Sequence, residues 1–299
     1  MTEKDLASSS APPARFRTLI SAEALLALYT QPRDLVVLDC GFDLADPAAG
    51  ERAHAEAHLP GAIYAHLDRD LAGAKTGRNG RHPLPGREAF AERVGRWGIG
   101  PATQVVTYDA QGGPYAARAW WMLRWLGHDA VAVLDGGPAA WRAVGGRFET
   151  RPPTARARPP YPAGHATMQT VDADALLAAI GNGRAHVVDA RAGERYRGEV
   201  EPLDPVAGHI PGALNRFFKD NLGADGRFKA AAVLRAEWEQ LGLDGASSGT
   251  TTIVHQCGSG VTACHNLLAM AHAGFADTAL YPGSWSEWCA DPARPVARG

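Results

Sequence analysis

The sequence predicts an α/β fold made of two tandem units, each a mostly parallel β-sheet flanked by helices. Three observations support this: the chain repeats itself at a spacing near 150 residues, each copy alternates short apolar runs with longer segments of helical periodicity, and a proline-rich stretch separates the copies. Short runs that are apolar throughout are typical of parallel strands covered by helices on both faces. The recurrence of the pattern therefore predicts one layered architecture, present twice.

The repeat consists of three matched blocks in the same order. LVVLDC at 35–40 returns as HVVDAR at 186–191, AHLPGAIYAHLD at 57–68 returns as GHIPGALNRFFK at 208–219, and LGHDAVAVLDGGPAAW at 126–141 returns as AGFADTALYPGSWSEW at 273–288. Three blocks in one order indicate duplication of a whole unit.

Individual elements follow from local pattern. In the first copy, the apolar runs at 35–38, 105–107 and 131–134 predict strands. In the second copy, the β-branched run at 250–254 predicts a strand, and a helix is expected from Thr262 onward. In parallel α/β sheets, ligands bind beyond the carboxyl ends of the strands, so the loop between these last two elements is a candidate site.

The domain limits follow from composition. We expect a disordered tail at 1–14, a first domain at 15–150, a linker at 151–165 and a second domain at 166–299. The linker sequence, RPPTARARPPYPAGH, is rich in proline and arginine and has no hydrophobic period.

Composition excludes some classes of partner. The chain of 299 residues is 45% hydrophobic and 21% charged, with a formal net charge of −2. This balance favours neither nucleic acid nor an anionic membrane as a partner. The polar amino-terminal stretch lacks the apolar core of a signal peptide, and no run reaches the roughly 18 apolar residues of a membrane helix, so we expect a cytoplasmic protein.

The segment CGSGVTA at 257–263 indicates an anion-binding loop around a thiol. Gly258 and Gly260 allow backbone angles closed to other residues, so that several N–H groups can converge on the sulfur of Cys257. The following helix would direct its unpaired N–H groups and the positive end of its dipole toward the same loop. Such surroundings favour a thiolate over a thiol.

These motifs resemble a known family. The CGSGVTA loop, the two H-[LI]-P-G-A segments and the GSWSEW ending are similar to those of two-domain sulfurtransferases of the rhodanese family, over nearly the whole chain after the tail. The resemblance implies two rhodanese-like domains. It also implies that Cys257 takes a sulfur atom from a small-molecule donor, holds it as a persulfide and passes it to a thiol or cyanide. It implies no cofactor, and a thioredoxin-like protein is a further candidate partner as reductant.

The loop sequence also points to one branch of the family. Animal-type thiosulfate sulfurtransferases carry Cys-Arg-Lys-Gly-Val-Thr, whereas 3-mercaptopyruvate sulfurtransferases carry Cys-Gly-Ser-Gly-Val-Thr, as here. Thiosulfate leaves an anionic sulfite, which cationic loop residues would assist, whereas mercaptopyruvate leaves an enolate that must be stabilised or protonated. A neutral loop with Ser259 suits the second reaction, and a thiosulfate donor remains the alternative.

Further site residues are implied by the resemblance. Asp68 and Ser259 would form a proton relay with Cys257, and His82 would project from the first domain toward the loop. Arg195 would bind the substrate carboxylate. The resemblance also implies that the loop residues surround the bound substrate: Gly258, Gly260, Val261 and Thr262.

One departure from the family concerns a second arginine. Animal-type mercaptopyruvate enzymes carry it shortly after the position of Arg195, where this chain has Leu203 or Asp204. Arg197 is a candidate replacement, since it would share a face with Arg195 in an extended segment.

The first domain is expected to be catalytically silent but to supply one wall of the site. Matching Gly127 to Gly274 gives an offset of 147, which places Ala110 opposite Cys257. Binding clefts often form between domains, so the silent copy can still contribute residues.

Other chemistries fit less well. The spacing of His255, Cys257, Cys264 and His265 matches no common zinc pattern, so no metal is expected. A cysteine phosphatase would need an arginine six residues after its cysteine, where this chain has Ala263. A non-enzymatic persulfide carrier remains open.

Overall fold

A computed structural model describes residues 15–31, 34–154, 156–243 and 251–299. The tail expected at 1–14 lies outside the described residues, and the domain limits stay a prediction.

Two five-stranded sheets form the framework. The first has the order β1-β5-β4-β2-β3 and the second has the order β6-β10-β9-β7-β8, and every strand pair is parallel. The strands are β1 Leu19–Ile20, β2 Leu35–Asp39, β3 Ile63–Tyr64, β4 Gln104–Tyr108, β5 Val131–Leu134, β6 Gln169–Thr170, β7 Ala185–Asp189, β8 Leu214–Asn215, β9 Thr252–Gln256 and β10 Thr278–Leu280. The prediction of two tandem α/β units is confirmed, and the identical strand order shows that the sequence repeat is a structural one.

Helices cover both faces of each sheet. They are α1 Ala22–Tyr29, α2 Ala49–Glu56, α3 Leu67–Asp70, α4 Arg87–Arg96, α5 Pro114–Trp125, α6 Gly137–Ala143, α7 Ala173–Gly181, α8 Gly193–Tyr196, α9 Ala231–Gln240, α10 Ala263–His272 and α11 Ser284–Trp288, with a 3-10 helix at Phe218–Asn221. The central strands are buried on both sides, which explains their continuous apolar sequence.

The strand before the cysteine extends further than its apolar run. We expected it at 250–254, of which Thr250 lies outside the described residues, whereas β9 continues through His255 and Gln256, which pair with Val188 and Asp189 of β7. Pairing with β7 overrides the local polarity of these two residues. The strand therefore ends immediately before Cys257.

The two domains share a continuous apolar core. Helix α5 of the first domain packs against α10 of the second. One hydrophobic cluster includes Trp120 and Trp121 of α5 together with Val261, Leu267 and Leu268 of the second domain. Because the two helices follow the corresponding loops of the two copies, this packing brings those loops together between the domains.

Within the described part of the chain, no helix combines the length and apolarity that crossing a bilayer requires.

Candidate active site

Cys257 is the first residue after β9 and lies at the carboxyl edge of the second sheet. Its side chain is almost fully buried, with 2% of the residue exposed. The backbone N–H of Ser259 points at its sulfur, with N and Sγ 3.5 Å apart. Helix α10 begins six residues after Cys257, with Thr262 as its N-cap residue. The thiol thus lies at the strand–helix junction that the sequence indicated.

The cysteine loop contains backbone N–H groups that are not hydrogen-bonded. Among the described residues, the backbone N–H groups of Gly258, Gly260, Val261 and Thr262 have no hydrogen-bond acceptor. Gly260 has a φ of +77°, and a Cβ at this position would overlap the carbonyl oxygen of Pro282. Only glycine fits here, because the loop needs both the left-handed conformation and the close backbone approach. These free donors suit an anionic sulfur.

Ser284 supports the cysteine from the neighbouring loop. It has a φ of +53° and is the single non-glycine residue with a positive φ in the described ranges. Its hydroxyl accepts the N–H of Cys257 at 3.1 Å and donates to the carbonyl of Tyr281 at 2.9 Å. The strained backbone of Ser284 places its hydroxyl so that it connects the backbone N–H of Cys257 to the carbonyl of Tyr281.

A histidine from the first domain reaches Ser259. Nδ1 of His82 lies 2.8 Å from Oγ of Ser259, a hydrogen bond between the domains. Nε2 lies 3.6 Å from Oδ1 of Asp68, which is longer than a hydrogen bond and leaves an electrostatic contact. Asp68 also pairs with Lys75 at 3.0 Å. His82 thus lies between Asp68 and Ser259, and the proton relay that the resemblance implies for these residues stays a prediction.

His82 is held neutral. Burial, followed by the nearby charge of Arg118, lowers its pKa to about 4. The carboxylate of Asp68 opposes this shift. With Nε2 facing Asp68, the favoured tautomer carries its proton on Nε2 and accepts the Ser259 hydroxyl proton at Nδ1.

Arg118 is a buried cation from the first domain. It lies in α5 with 0% exposure and donates to the carbonyl oxygens of Leu71, His82 and Gly260 at 3.0 to 3.3 Å. Among the described residues, no carboxylate pairs with it. Burial lowers its pKa, and nearby Cys264 and Cys257 oppose that shift. Arg118 therefore ties the His82 segment to the cysteine loop and adds positive charge behind it.

In the first domain, the carboxylate of Asp109 occupies the corresponding loop. Oδ1 of Asp109 accepts the N–H groups of Gln111 and Gly113, and Oδ2 accepts those of Tyr115 and Ala116, at 2.8 to 2.9 Å. Four N–H donors on one carboxylate are an arrangement that suits an anion. Burial nevertheless raises the pKa of Asp109.

Asp109, and not Ala110, occupies the place of the nucleophile. Tyr108 pairs with Asp39 on β2 as Gln256 pairs with Asp189 on β7, so the ends of the two strands are 148 residues apart. The offset of 147 holds only beyond the helices. The segment from the strand end through the helix to Gly127 is therefore one residue longer than the segment that ends at Gly274, and the expected match to Ala110 is wrong by that residue.

A cavity of about 340 Å³ opens between the domains over Cys257. Of the residues proposed from the sequence, seven line it: Cys257, Gly258, Ser259, Val261, Thr262, His82 and Arg195. Asp68 is not among the lining residues and lies behind His82, and Gly260 shapes the turn without lining the cavity. The structure thus brings most of the proposed residues around one space.

Of the two arginines considered from the sequence, Arg195 lines the cavity and Arg197 does not. Nη2 of Arg195 lies 2.6 Å from Oε1 of Glu201. Arg197 does not line the cavity and pairs with Glu199 on the surface. Because α8 is helical, residues two apart point in different directions, so Arg197 is not the replacement for the second arginine.

The polar residues around Cys257 show no metal-binding arrangement. In the described ranges, no group of three or more His, Cys, Asp or Glu side chains is placed to hold an ion. Nε2 of His255 contacts the sulfur of Met270, and the Cys264 thiol donates to the carbonyl of Gly260. All four cysteines are unpaired.

The fold and this loop define a class of protein: two copies of one parallel α/β unit, with a cysteine in an anion-binding loop of the second copy. The family model for the rhodanese-like domain matches residues 21–144 and 172–291. The chain therefore belongs to the rhodanese family, with two such domains.

Three relatives are similar to this chain over nearly their full length, and a solved structure is similar in fold. A Pseudomonas aeruginosa protein named "Probable 3-mercaptopyruvate sulfurtransferase" is 48% identical, covering 94% of this chain and 98% of its own. The human 3-mercaptopyruvate sulfurtransferase is 38% identical (93% and 94%), and the bovine thiosulfate sulfurtransferase is 34% identical (91% and 92%). The solved 3-mercaptopyruvate sulfurtransferase from Leishmania major is 29% identical with a TM-score of 0.78, covering 93% of this chain and 75% of its own.

Three residues near the cysteine escaped sequence reasoning: Arg118, Ser284 and Arg81, which also lines the cavity. Arg118 left a signal, since a lone arginine inside the apolar helical run AARAWWM calls for buried partners. The other two depend on contacts between distant segments, and their local sequence carries no such signal.

Proposed function

We propose that the protein is a sulfurtransferase that moves a sulfur atom from 3-mercaptopyruvate through a Cys257 persulfide to a thiol or cyanide acceptor. The observation that carries this proposal is the position of the Cys257 sulfur. It lies within a loop of free N–H donors, next to Ser259, whose hydroxyl is hydrogen-bonded to His82. One cavity thus contains a nucleophile, Cys257, an anion-binding loop and a proton-transfer pair, Ser259 and His82. These groups suit a reaction that transfers a sulfur atom and a proton together.

In the first half-reaction, the Cys257 thiolate attacks the donor sulfur. The S–S bond forms as the C–S bond breaks, and the electron pair goes to the carbon, giving the enolate of pyruvate. The proton of the donor thiol passes by Ser259 and His82 to that carbon. The products are pyruvate and a Cys257 persulfide anion, so charge and protons balance.

The second half-reaction restores the enzyme. A thiolate or cyanide attacks the outer sulfur, the S–S bond breaks, and the electron pair returns to Cys257. The free N–H groups of Gly258, Gly260, Val261 and Thr262 suit the persulfide anion as well as the thiolate. We propose a small thiol or a thioredoxin-like protein as the natural acceptor, in a cytoplasmic setting that keeps Cys257 reduced.

Mass spectrometry after incubation with 3-mercaptopyruvate tests the proposal. Cys257 should gain one sulfur atom, and the Cys257→Ser variant should gain none. A Cys289→Ser variant is the matched control, because Cys289 is also buried but lies outside the cavity. No added sulfur at Cys257 would contradict both the enzymatic and the carrier function.

Comparison of donors and acceptors separates the rival functions. We expect kcat/KM to be at least tenfold higher for 3-mercaptopyruvate than for thiosulfate, because Ser259 and His82 serve a leaving enolate and not a leaving sulfite. A preference for thiosulfate would assign the alternative activity. Labelling without turnover on cyanide or a small thiol would indicate a carrier.

A further inference from the structure

The peptide between Gly260 and Val261 is held from behind the cysteine loop. Nη1 of Arg118 donates to the carbonyl oxygen of Gly260 at 3.0 Å, and the Cys264 thiol donates to the same oxygen at 3.4 Å. In a planar trans peptide, the N–H points in the direction opposite to the carbonyl. The N–H of Val261 therefore points away from Arg118, and no acceptor among the described residues meets it. The two donors on Gly260 oppose rotation of this peptide, so the free N–H keeps its direction.

The other donors of Arg118 hold the first domain. Nε and Nη2 each donate to the carbonyl of Leu71 at 3.3 Å, and Nη2 also donates to the carbonyl of His82 at 3.0 Å. His82 in turn is hydrogen-bonded to Ser259 at 2.8 Å. The guanidinium has firm support, because Arg118 is 0% exposed and lies on α5, which packs against α10. One side chain thus connects the cysteine loop to the segment that carries the histidine.

The charge of Arg118 needs a negative partner. Its hydrogen bonds all go to neutral carbonyl oxygens, and a buried guanidinium without a counter-ion is unfavourable. The neighbouring groups that can carry a negative charge are the thiols of Cys264 and Cys257. Burial raises the pKa of Cys264 to about 12, so that thiol stays neutral. A sulfur anion at Cys257, as thiolate or as persulfide, is therefore the group that balances this charge.

We propose that Arg118 is a positioning residue of the reaction, which fixes the Gly260–Val261 peptide with its N–H free for a sulfur anion and supplies the positive charge that balances this anion. Arg118 does not line the cavity and so does not touch the donor. The inference rests on the proposed sulfurtransferase function. It makes the reactivity of a thiol in the second domain depend on a helix of the first.

Alkylation of Cys257 by iodoacetamide tests the inference without a sulfur donor. The rate follows the thiolate fraction, so its dependence on pH, with the site identified by mass spectrometry, reports the charge that Arg118 stabilises. We expect Arg118→Met to move the midpoint of this profile upward by at least about one pH unit, and Arg118→Lys, which keeps the charge, to stay within about half a unit of wild type. Arg124→Met is the matched control, because Arg124 is a half-buried arginine of the same helix whose guanidinium donates to the carbonyl of Arg17.

Turnover of 3-mercaptopyruvate tests the positioning role. A lysine ammonium cannot reproduce the forked contacts of the guanidinium, so Arg118→Lys should lower kcat about tenfold. KM should stay within about threefold of wild type, because the side chain does not touch the donor. This reading also decides the matter if Arg118→Met fails to fold by circular dichroism.

Several results would overturn the inference. A folded Arg118→Met variant with the alkylation profile of wild type would show that the charge does not act on Cys257. Equal shifts in the methionine and lysine variants would indicate lost packing instead of lost charge, and wild-type kcat in Arg118→Lys would remove the positioning role. A wild-type protein that is alkylated as expected but does not accept sulfur from 3-mercaptopyruvate would instead refute the proposed function itself.

Discussion

Replacing His82 by glutamine should affect the two sulfur donors differently. Nδ1 of His82 lies 2.8 Å from Oγ of Ser259, and glutamine can keep a hydrogen bond there but cannot carry a proton. General acid–base catalysis contributes about 10²- to 10⁴-fold, or roughly 3 to 5 kcal/mol. We expect kcat for 3-mercaptopyruvate to fall by at least about 100-fold, and kcat for thiosulfate to change less than about threefold, because sulfite leaves without a proton.

The pKa of His82 sets the pH dependence of this effect. Because the pKa is lowered to about 4, only about one imidazole in a thousand is protonated at pH 7, and about one in ten at pH 5. The neutral imidazole accepts the proton, so loss of activity through His82 should begin below pH 5 and not near 6.5.

Stopped-flow measurement of pyruvate release in a single turnover, from pH 4.5 to 8, provides the assay. His165→Gln is a matched control, because His165 is exposed. Equal losses with both donors would refute the proton-transfer role. An acid limb near 6.5 that disappears in the His82 variant would refute the assigned protonation state.

Three other predictions concern the loop and its surroundings. Gly260→Ala should leave the protein folded by circular dichroism but lower the rate of persulfide formation more than tenfold, because the left-handed backbone costs about 1 to 2 kcal/mol and the Cβ overlaps a carbonyl; a wild-type rate would contradict this. Ser284→Ala removes the hydroxyl that accepts the N–H of Cys257, so kcat/KM should fall about tenfold, and unchanged kinetics would show that the bridge is dispensable. Burial lowers the pKa of His255 to about 3 and of His265 to about 4. Below pH 6.5, the unfolded chain therefore binds more protons at these histidines than the folded chain does. The free energy of unfolding, measured in urea, should drop by about 2 kcal/mol per histidine between pH 6.5 and 5. A free energy that stays constant over this interval would exclude the effect.

Features encoded by neighbouring residues were accessible from the sequence. The duplicated strand pattern predicted both sheets, because burial on two faces requires continuous apolar runs such as 131–134. The glycines beside Cys257 predicted its loop, since backbone freedom and the start of α10 are local properties. These features need only periodicity and spacing along the chain.

Features that depend on contacts between distant segments were decided by tertiary structure alone. Asp109 takes the place of the nucleophile because strand pairing, and not a constant offset, sets the alignment of the two copies. His82 comes between Asp68 and Ser259, and Arg81 comes beside Gly258, because a loop of the first domain packs onto the second. The sequence by itself determined the fold, the repeat and the cysteine loop. Only the packing of α5 against α10 and of the two loops decided which residues of the first domain reach that cysteine, because such contacts join positions far apart in the chain.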